Sequence, residues 1–268
     1  MDDIQASVDH DLKICVLASG SKGNAIYISN GRASILFDAG LSGKEIERRM
    51  LARKLEPKTL TGIVVSHEHS DHIRGVGVLS RRYKLPVYIT PKTAQAASAQ
   101  IGKLHQTRYF ECGKTFEITG LKIRPFAISH DAQDSSGFTI SNHKHKVGLA
   151  TDLGVATNMV KEHLKGCNLL IIEANHDMEM LINGPYPWHL KQRIKSRCGH
   201  LSNADSCNLL GELIHNNLSD VVLAHLSEQN NHPEKALNAV SQAVACNSYK
   251  LEFHVASQDI SSKVIVLD

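Results

Sequence analysis

His67-Glu68-His69-Ser70-Asp71-His72 is the stretch on which the fold turns. It follows Gly62-Ile63-Val64-Val65, a short apolar run that reads as a buried strand. Imidazoles and carboxylates are the usual ligands of zinc and related divalent ions. Here three imidazoles and a carboxylate leave the end of one strand. In extended chain His67 and His69 point the same way, because side chains alternate with period two. The following turn can aim Asp71 and His72 at a second point nearby, so the run can begin two adjacent metal sites. The competing interpretation is a polar, solvated loop after a strand. Ligands waiting at other strand ends would decide between them.

Working outward, the chain alternates element types. Lys13–Leu17, Ala25–Ser29 and Ser34–Phe37 read as strands, the first two joined by the turn Gly20-Ser21-Lys22-Gly23-Asn24. A charged helix runs from Gly43 to about Lys54, and Thr61–Ser66 is the strand that carries the metal run. Leu85–Thr90 is a further strand, with Pro91 placed to begin a helix. Thr115–Thr119 with Leu121–Ser129, and Gly137–Ser141 with Lys146–Thr151, form two hairpins. A helix near Val155–Lys165 precedes the strand Asn168–Glu173. Helices follow at Asp177–Asn183, Trp188–Arg197 and Ser202–His215, the last opened by a capping box from Ser202 to Asp205. Asp220–Ala224 is a strand, Pro233–Ala245 a helix, and Leu251–Ala256 and Lys263–Leu267 are closing strands. A β-rich first half followed by β-α repetition suggests two sheets packed face to face with helices outside. Without linkers, repeats or low-complexity segments, residues 1–268 read as one domain.

The strand ends supply the expected ligands. Ser34–Phe37 runs into Asp38, Leu121–Ser129 into His130, Val147–Thr151 into Asp152, and Asp220–Ala224 into His225. A single histidine after a strand is usually an ordinary surface residue. Four such ends, together with the six-residue run, describe a site built at one edge of a sandwich.

Composition narrows the class. Hydrophobic residues make up 42% of the 268 and charged residues 21%, the balance of a soluble globular protein. No apolar run approaches the roughly 20 residues that span a membrane, so no membrane partner is expected. Met1-Asp2-Asp3 is acidic and no apolar leader follows, so nothing suggests export. Six scattered cysteines (Cys15, Cys112, Cys167, Cys198, Cys207, Cys246) without a C-x-x-C pair fit a reduced cytoplasm and speak against a structural zinc ribbon. A net charge of +3 permits a polyanionic substrate without requiring one.

The order H-x-H-x-D-H, His, Asp, His resembles the metallo-β-lactamase fold superfamily, an α/β (α+β) fold built as a four-layer αββα sandwich. Seven further segments widen the likeness to nearly the whole chain: Leu17–Asn24, Asp38–Ser42, Ser129–Ala132, Glu173–Asp177, Asn183–Trp188, Gly199–Asn203 and Ala224–Ser227. They resemble the YycJ/WalJ-type bacterial branch. That resemblance implies a 5′→3′ exonuclease on DNA with a link to mismatch repair, and prefers DNA over RNA as partner.

Carried over by position, the resemblance implies that His67, His69 and His130 hold one divalent ion. Asp71, His72 and His225 hold a second, and Asp152 bridges the two. Asp38 would fix a ligand imidazole through its free N–H. The β-lactam-hydrolysing branch typically has cysteine where this chain has Asp152, which disfavours antibiotic hydrolysis. Zinc or manganese suits such donors, and iron is accepted. The implied chemistry is attack on phosphorus by a metal-held hydroxide, with Asp71, Glu173 and His200 in the catalytic set. His200 would protonate the leaving sugar oxygen while Glu173 orients it, a pair that resembles the accessory motif of the tRNase Z branch. From the residues alone, Glu173 ends a strand in solvent and His200 merely precedes a helix.

Other features carry open alternatives. The amides of Gly20–Asn24 either cradle a phosphate or form an ordinary hairpin turn. His176 either lines the pocket or makes a local turn contact. His143 and His145 lie in a lysine-rich turn that reads as solvated. Lys191, Arg193, Lys195 and Arg197, beside Tyr186 and Trp188, either follow a nucleic-acid backbone with an aromatic for stacking or form a solvated helix face with Trp188 in the core. Lys44, Arg48, Arg49 and Arg53 read as solvent-facing helix charge. Beside the nuclease stand two alternatives. One is a small-molecule hydrolase acting on a cyclic phosphodiester, thioester or lactone. The other is a nucleic-acid-binding module with structural metals, which the carboxylate-containing donor set disfavours. The sequence fixes neither the metal nor the oligomeric state.

Overall fold

The computed structural model describes residues 11–244 and 250–268. The acidic N-terminus, Cys246 and the end of the helix expected to reach Ala245 lie outside them. Among the described residues no helix is long and apolar enough to cross a membrane.

The central strands are continuous apolar runs because both faces of each sheet are covered there. In β1 (Leu12–Ala18), Ile14 and Val16 face one way, Cys15 and Leu17 the other. The same period of two sorts β2 (Ala25–Ser29), β3 (Ser34–Phe37), β4 (Gly62–Val64) and β5 (Pro86–Ile89). With β6 (Gln106–Tyr109) and the C-terminal β14 (Ile265–Leu267) they form one seven-stranded sheet, ordered β14-β1-β2-β3-β4-β5-β6. The second sheet holds β7 (Phe116–Ile118), β8 (Leu121–Ala127), β9 (Ser136–Ser141), β10 (Lys146–Ala150), β11 (Leu169–Glu173), β12 (Asp220–Ala224) and β13 (Glu252–Val255), in reverse chain order.

Three apolar layers glue the molecule. The central one packs sheet on sheet, setting Ile14, Ile35 and Phe37 against Ile123, Phe138 and Val222. Phe37 meets Phe138 edge to face, centroids 5.3 Å apart. Outside the first sheet lie α1 (Gly43–Ala52), α2 (Ser70–Ile73), α3 (Val76–Tyr83) and α4 (Pro91–Ile101). The second sheet carries α5 (Asn158–Leu164), α6 (Met178–Asn183), α7 (Trp188–Ile194), α8 (Asn203–Leu213) and α9 (Pro233–Ser241) on its flank and edge. The order of layers is αββα, as the sequence implied.

Both hairpins form, as the antiparallel pairs β7–β8 and β9–β10. Pro91 begins α4 behind a Thr90 cap, and the Ser202–Asp205 capping box opens α8. Sequence reasoning missed α2, α3 and β6. The four residues of β6 are all exposed and polar or amphipathic, so no alternation marks that edge strand. Direction is what positions the site. Strands β3 and β4 run parallel, and β8, β10, β11 and β12 share one direction in the second sheet. Their carboxyl ends therefore gather the side chains that follow them.

Helix α1 corrects the expectation of purely solvent-facing charge. Arg49 is buried, and its Nη1 donates to the Leu17 carbonyl at 2.9 Å and the Gln258 carbonyl at 2.6 Å. Arg53 reaches the Ser261 carbonyl. Both lie on the inward side of the helix, where backbone carbonyls of β1 and the C-terminal segment need donors. The Arg48 guanidinium, with that of Arg49, holds the Glu45 carboxyl at about 2 despite partial burial. A carboxyl lowered in the folded state stabilises the fold above its unfolded value, and this is lost as pH falls towards the folded value. Glu45→Gln should therefore cost about 0.5–1 kcal/mol at pH 7, the pair being largely screened by solvent, measured by urea unfolding. The gap to the parent should narrow as pH falls below about 4.3.

Candidate metal centre

Three of the strands that deliver site residues, β3, β10 and β12, end in a turn of unusual backbone. Asp38 after β3 has φ 60°, Asp152 after β10 has φ 56°, and His225 after β12 has φ 56°. Left-handed backbone at a non-glycine residue costs roughly 1 kcal/mol or more and persists only where the surroundings enforce it. Three such residues cluster here, each turning its side chain back across the sheet edge. Gly40 permits the close approach beneath them: a Cβ there would lie 1.5 Å from the Asp71 carbonyl oxygen.

The donors converge in two sets. The ligand atoms of His67, His69 and His130 lie within 4.8 Å of one another, as do those of Asp71, His72 and His225. Asp152 stands between the sets. Its Oδ2 is 3.4 Å from His72 Nε2, and its Oδ1 is 3.4 Å from His225 Nε2 and 3.9 Å from His130 Nε2.

The imidazoles are held from behind. Asp38 Oδ2 accepts from His72 Nδ1 at 2.7 Å and from the Ser66 hydroxyl at 2.7 Å. With its proton so committed, Ser66 Oγ accepts from His67 Nδ1 at 2.9 Å. The Gly199 carbonyl accepts from His130 Nδ1 at 3.3 Å, and Glu173 Oε1 from His225 Nδ1 at 2.8 Å. Each partner is an acceptor, which fixes the proton on Nδ1 and turns the Nε2 lone pair inward. His69 is reversed, with Nδ1 facing His130 Nε2 at 3.3 Å.

Glu173 does more than the sequence suggested. It is fully buried, and the same Oε1 also accepts from His200 Nδ1 at 2.8 Å. Its Oε2 accepts the amides of Leu153 and Leu201 at 2.9 and 3.0 Å. It does not end a strand in solvent; it fastens His200 and His225 together. Burial opposes its charge, but the imidazoles of His200 and His225 outweigh it and hold the carboxyl at about 2. His200 is half-buried, its ring centroid 5.0 Å from that of His225 and 5.2 Å from that of His130.

Sequence reasoning overlooked several neighbours. Asn24 Nδ2 lies 3.0 Å from His72 Nε2 and 3.2 Å from Asp71 Oδ2. Asp131 Oδ1 lies 3.5 Å from His130 Nε2, while its Oδ2 accepts from Arg193 Nε at 2.5 Å. No residue spacing signals either contact.

Other expectations need correction. The amides of Gly20, Lys22, Gly23 and Asn24 already donate within the protein, so that turn is no phosphate cradle. Helix α7 stops at Ile194, short of Arg197. Trp188 is 72% exposed and lies outside the core. Lys191 is not a free cation, for its Nζ donates to the Ile182 and Gly184 carbonyls at 2.7 Å each. Arg193 is paired with Asp131, and the Lys195 backbone amide caps the end of the helix. His176 is buried, with a pKa pushed down to about 4, chiefly by burial. His145, expected in a solvated turn, is half-buried, and neither of its ring nitrogens has a hydrogen-bond partner.

The donor set fits divalent ions. His67 Nε2, His225 Nε2 and Asp152 Oδ2 are buried without a hydrogen-bond partner, although unpaired buried polar atoms are rare. The ligand atoms of His67, His72 and Asp152 lie within 4.8 Å of one another, and His225 Nε2 is 3.4 Å from Asp152 Oδ1. Imidazole and carboxylate together select divalent transition ions.

Residues 33–226 match the family model described as "Beta-lactamase superfamily domain". The chain belongs to that superfamily. It is 40% identical over 235 residues to the exodeoxyribonuclease YycJ of Bacillus anthracis, covering 87% of this chain and 89% of that protein. Identity to the exodeoxyribonuclease WalJ of Streptococcus pneumoniae is 39% over 239 residues, covering 86% and 89%. Among solved structures, the metallo-β-lactamase fold protein YhfI of Bacillus subtilis superimposes with a TM-score of 0.72 at 16% identity, covering 94% of this chain and 99% of that one. The superfamily's metallo-β-lactamase fold implies divalent metal ions, and the clustered donors lie where such ions would sit.

Charge balance in this superfamily member has a measurable consequence. Burial opposes protonation of His225, but Asp152, Asp71 and Glu173 hold its imidazole up at about 10. His72 is likewise raised well above its ordinary value, burial being outweighed by Asp152 and Asp38. The surrounding carboxylates thus favour the protonated form of both rings in metal-free protein, whereas a ligating imidazole must be neutral. Uptake of Zn²⁺ or Mn²⁺ at pH 7 should release protons, and affinity should fall as pH is lowered. Titration calorimetry in two buffers of different ionisation enthalpy checks this, and identical heats in both would contradict it.

Proposed function

We propose that this chain is a dinuclear-metal phosphodiesterase, a 5′→3′ exonuclease of DNA active in the cytoplasm and serving DNA repair. One observation carries the reading: a buried carboxylate, Asp152, faces imidazoles of both donor sets. The names of the two bacterial relatives, each an exodeoxyribonuclease matched over most of its length, support the substrate class. His67, His69 and His130 would hold one ion and Asp71, His72 and His225 the other, with Asp152 shared; zinc, manganese or iron suits the donors. The ions, when bound, supply a lowered water pKa and positive charge opposite the phosphoryl oxygens. One domain spanning residues 1–268 carries the whole activity.

The remaining work falls to the chain's own residues. Asp38, Ser66, the Gly199 carbonyl and Glu173 keep four Nε2 lone pairs directed inward. His200, anchored to Glu173 through Nδ1, presents Nε2 to the site and gives its proton to the departing sugar oxygen. Asp131 restrains Arg193 beside the phosphate position. Arg193 and Lys195 add positive potential along the approaching strand, and exposed Trp188 offers a stacking face.

Digestion of 5′-labelled and 3′-labelled DNA, single-stranded and duplex, by Mn²⁺- or Zn²⁺-loaded protein tests the assignment. Label should leave the 5′ end first as mononucleotide, with RNA cut more slowly. Turnover of a generic phosphodiester, thioester or lactone with DNA left intact would sink it. The acid role has its own signature. His200→Ala should lower kcat on DNA about 10²–10⁴-fold. It should act far less on bis(p-nitrophenyl) phosphate, whose nitrophenolate leaves without a proton. Equal losses on both substrates would assign His200 to structure.

A further inference from the structure

A cavity of about 200 Å³ adjoins the metal centre. One wall is Tyr186, Leu190 and Ile194, spaced by four residues so that they form a single stripe along α7 and the turn before it. Facing them is Leu226, which follows the metal-centre residue His225. His200 and His225 line the inner end, and Arg193 is also part of the lining.

The stripe is out of place by ordinary packing rules. Helix α7 has no buried residue, and Tyr186, Leu190 and Ile194 join none of the three apolar layers. A helix normally turns such a stripe to the core. This one faces the cavity, although α7 is tied down by two of its residues: Lys191 grips the Ile182 and Gly184 carbonyls, and Arg193 pairs with Asp131. A fixed apolar wall, a cation and the proton-donating His200 thus surround one small space.

We propose that this cavity seats the nucleobase of the 5′-terminal nucleotide, the one that departs. This rests on the exonuclease reading above and adds to it the residues that recognise the chain end. Hydrolysis forms a bond from water oxygen to phosphorus and breaks the bond from phosphorus to O3′ of the terminal nucleotide. The proton that O3′ needs comes from His200. Because His200 lines the cavity, the departing sugar lies at its inner end and its base lies between Tyr186, Leu190 and Leu226. The volume is below the roughly 300–1,000 Å³ of small-molecule pockets, so it suits one flat ring system and not a run of nucleotides. Apolar and aromatic walls accept any base, because every base has a π-face. Arg193, held by Asp131 in the same lining, keeps a guanidinium at the cavity rim.

The test uses the metal-loaded full-length protein and two single-stranded oligonucleotides that differ only at the 5′ residue, thymidine or a tetrahydrofuran abasic analogue. Removal of the first residue is timed for both. The abasic end should raise KM about five- to a hundredfold. Leu190→Trp, which fills the cavity, and Tyr186→Ala, which removes the aromatic face, should each raise KM for the thymidine end and bring the ratio between the two ends close to one. Melting temperature and bound-metal content establish that each variant is folded and loaded. Equal KM for the two ends in the parent protein, or full discrimination kept by both variants, overturns the base pocket and leaves the nuclease assignment standing. Parent protein that hydrolyses bis(p-nitrophenyl) phosphate but no oligonucleotide overturns the nuclease assignment and the pocket with it.

Discussion

A carboxylate buried among imidazoles organises this protein. Asp152 is almost wholly out of solvent, sits in left-handed backbone, and faces His72, His130 and His225 across 3.4–3.9 Å. An isolated buried charge of this kind is expensive, so it must be met by positive charge or leave the interior. Everything at the sheet edge answers that demand. The strands aim imidazoles at Asp152, acceptors behind the imidazoles hold their rings, and the Nε2 and Oδ2 atoms without hydrogen-bond partners are donors suited to a cation. Stability alone would not build such a site; an apolar edge of the same volume would fold at least as well.

Glu173 shows how one buried group couples binding to proton transfer. Its Oε1 is shared by His225, within one donor set, and His200, outside both. Its Oε2 is fixed by two backbone amides, so it cannot swing to favour either ring. A change at one imidazole is therefore felt at the other through a single oxygen. The same economy appears at Asp38, which restrains His72 directly and His67 through Ser66.

Helix α7 is set apart from the rest of the architecture. Three apolar layers hold the sheets and the other long helices, and α7 contributes nothing to them. Lysine and arginine on this helix could, from sequence, either track a polyanion or form a solvated face. In the fold Lys191 is consumed in anchoring α7 to the end of α6, and Arg193 ties it to the metal-centre loop through Asp131. The helix is thereby placed as a wall beside the site, with its apolar stripe turned inward and Trp188 turned out.

The sequence by itself determined the layers and the donors. Continuous apolar runs such as those within Lys13–Leu17 and Asn168–Glu173 report burial on both faces. Strands that run into Asp38, His67, His130, Asp152 and His225 report a ligand-bearing edge. These signals are local, because strand periodicity and strand termination are properties of a few consecutive residues. The tertiary structure decided what needs distance and direction. Only the fold shows that Asp38, Asp152 and His225 take left-handed backbone, that Asn24 reaches His72, that Glu173 grips two histidines, and that Arg49 is structural while Trp188 is exposed. Such facts depend on how two twisted sheets meet and which groups then compete for the same donors and acceptors, and no pattern along the chain encodes that meeting.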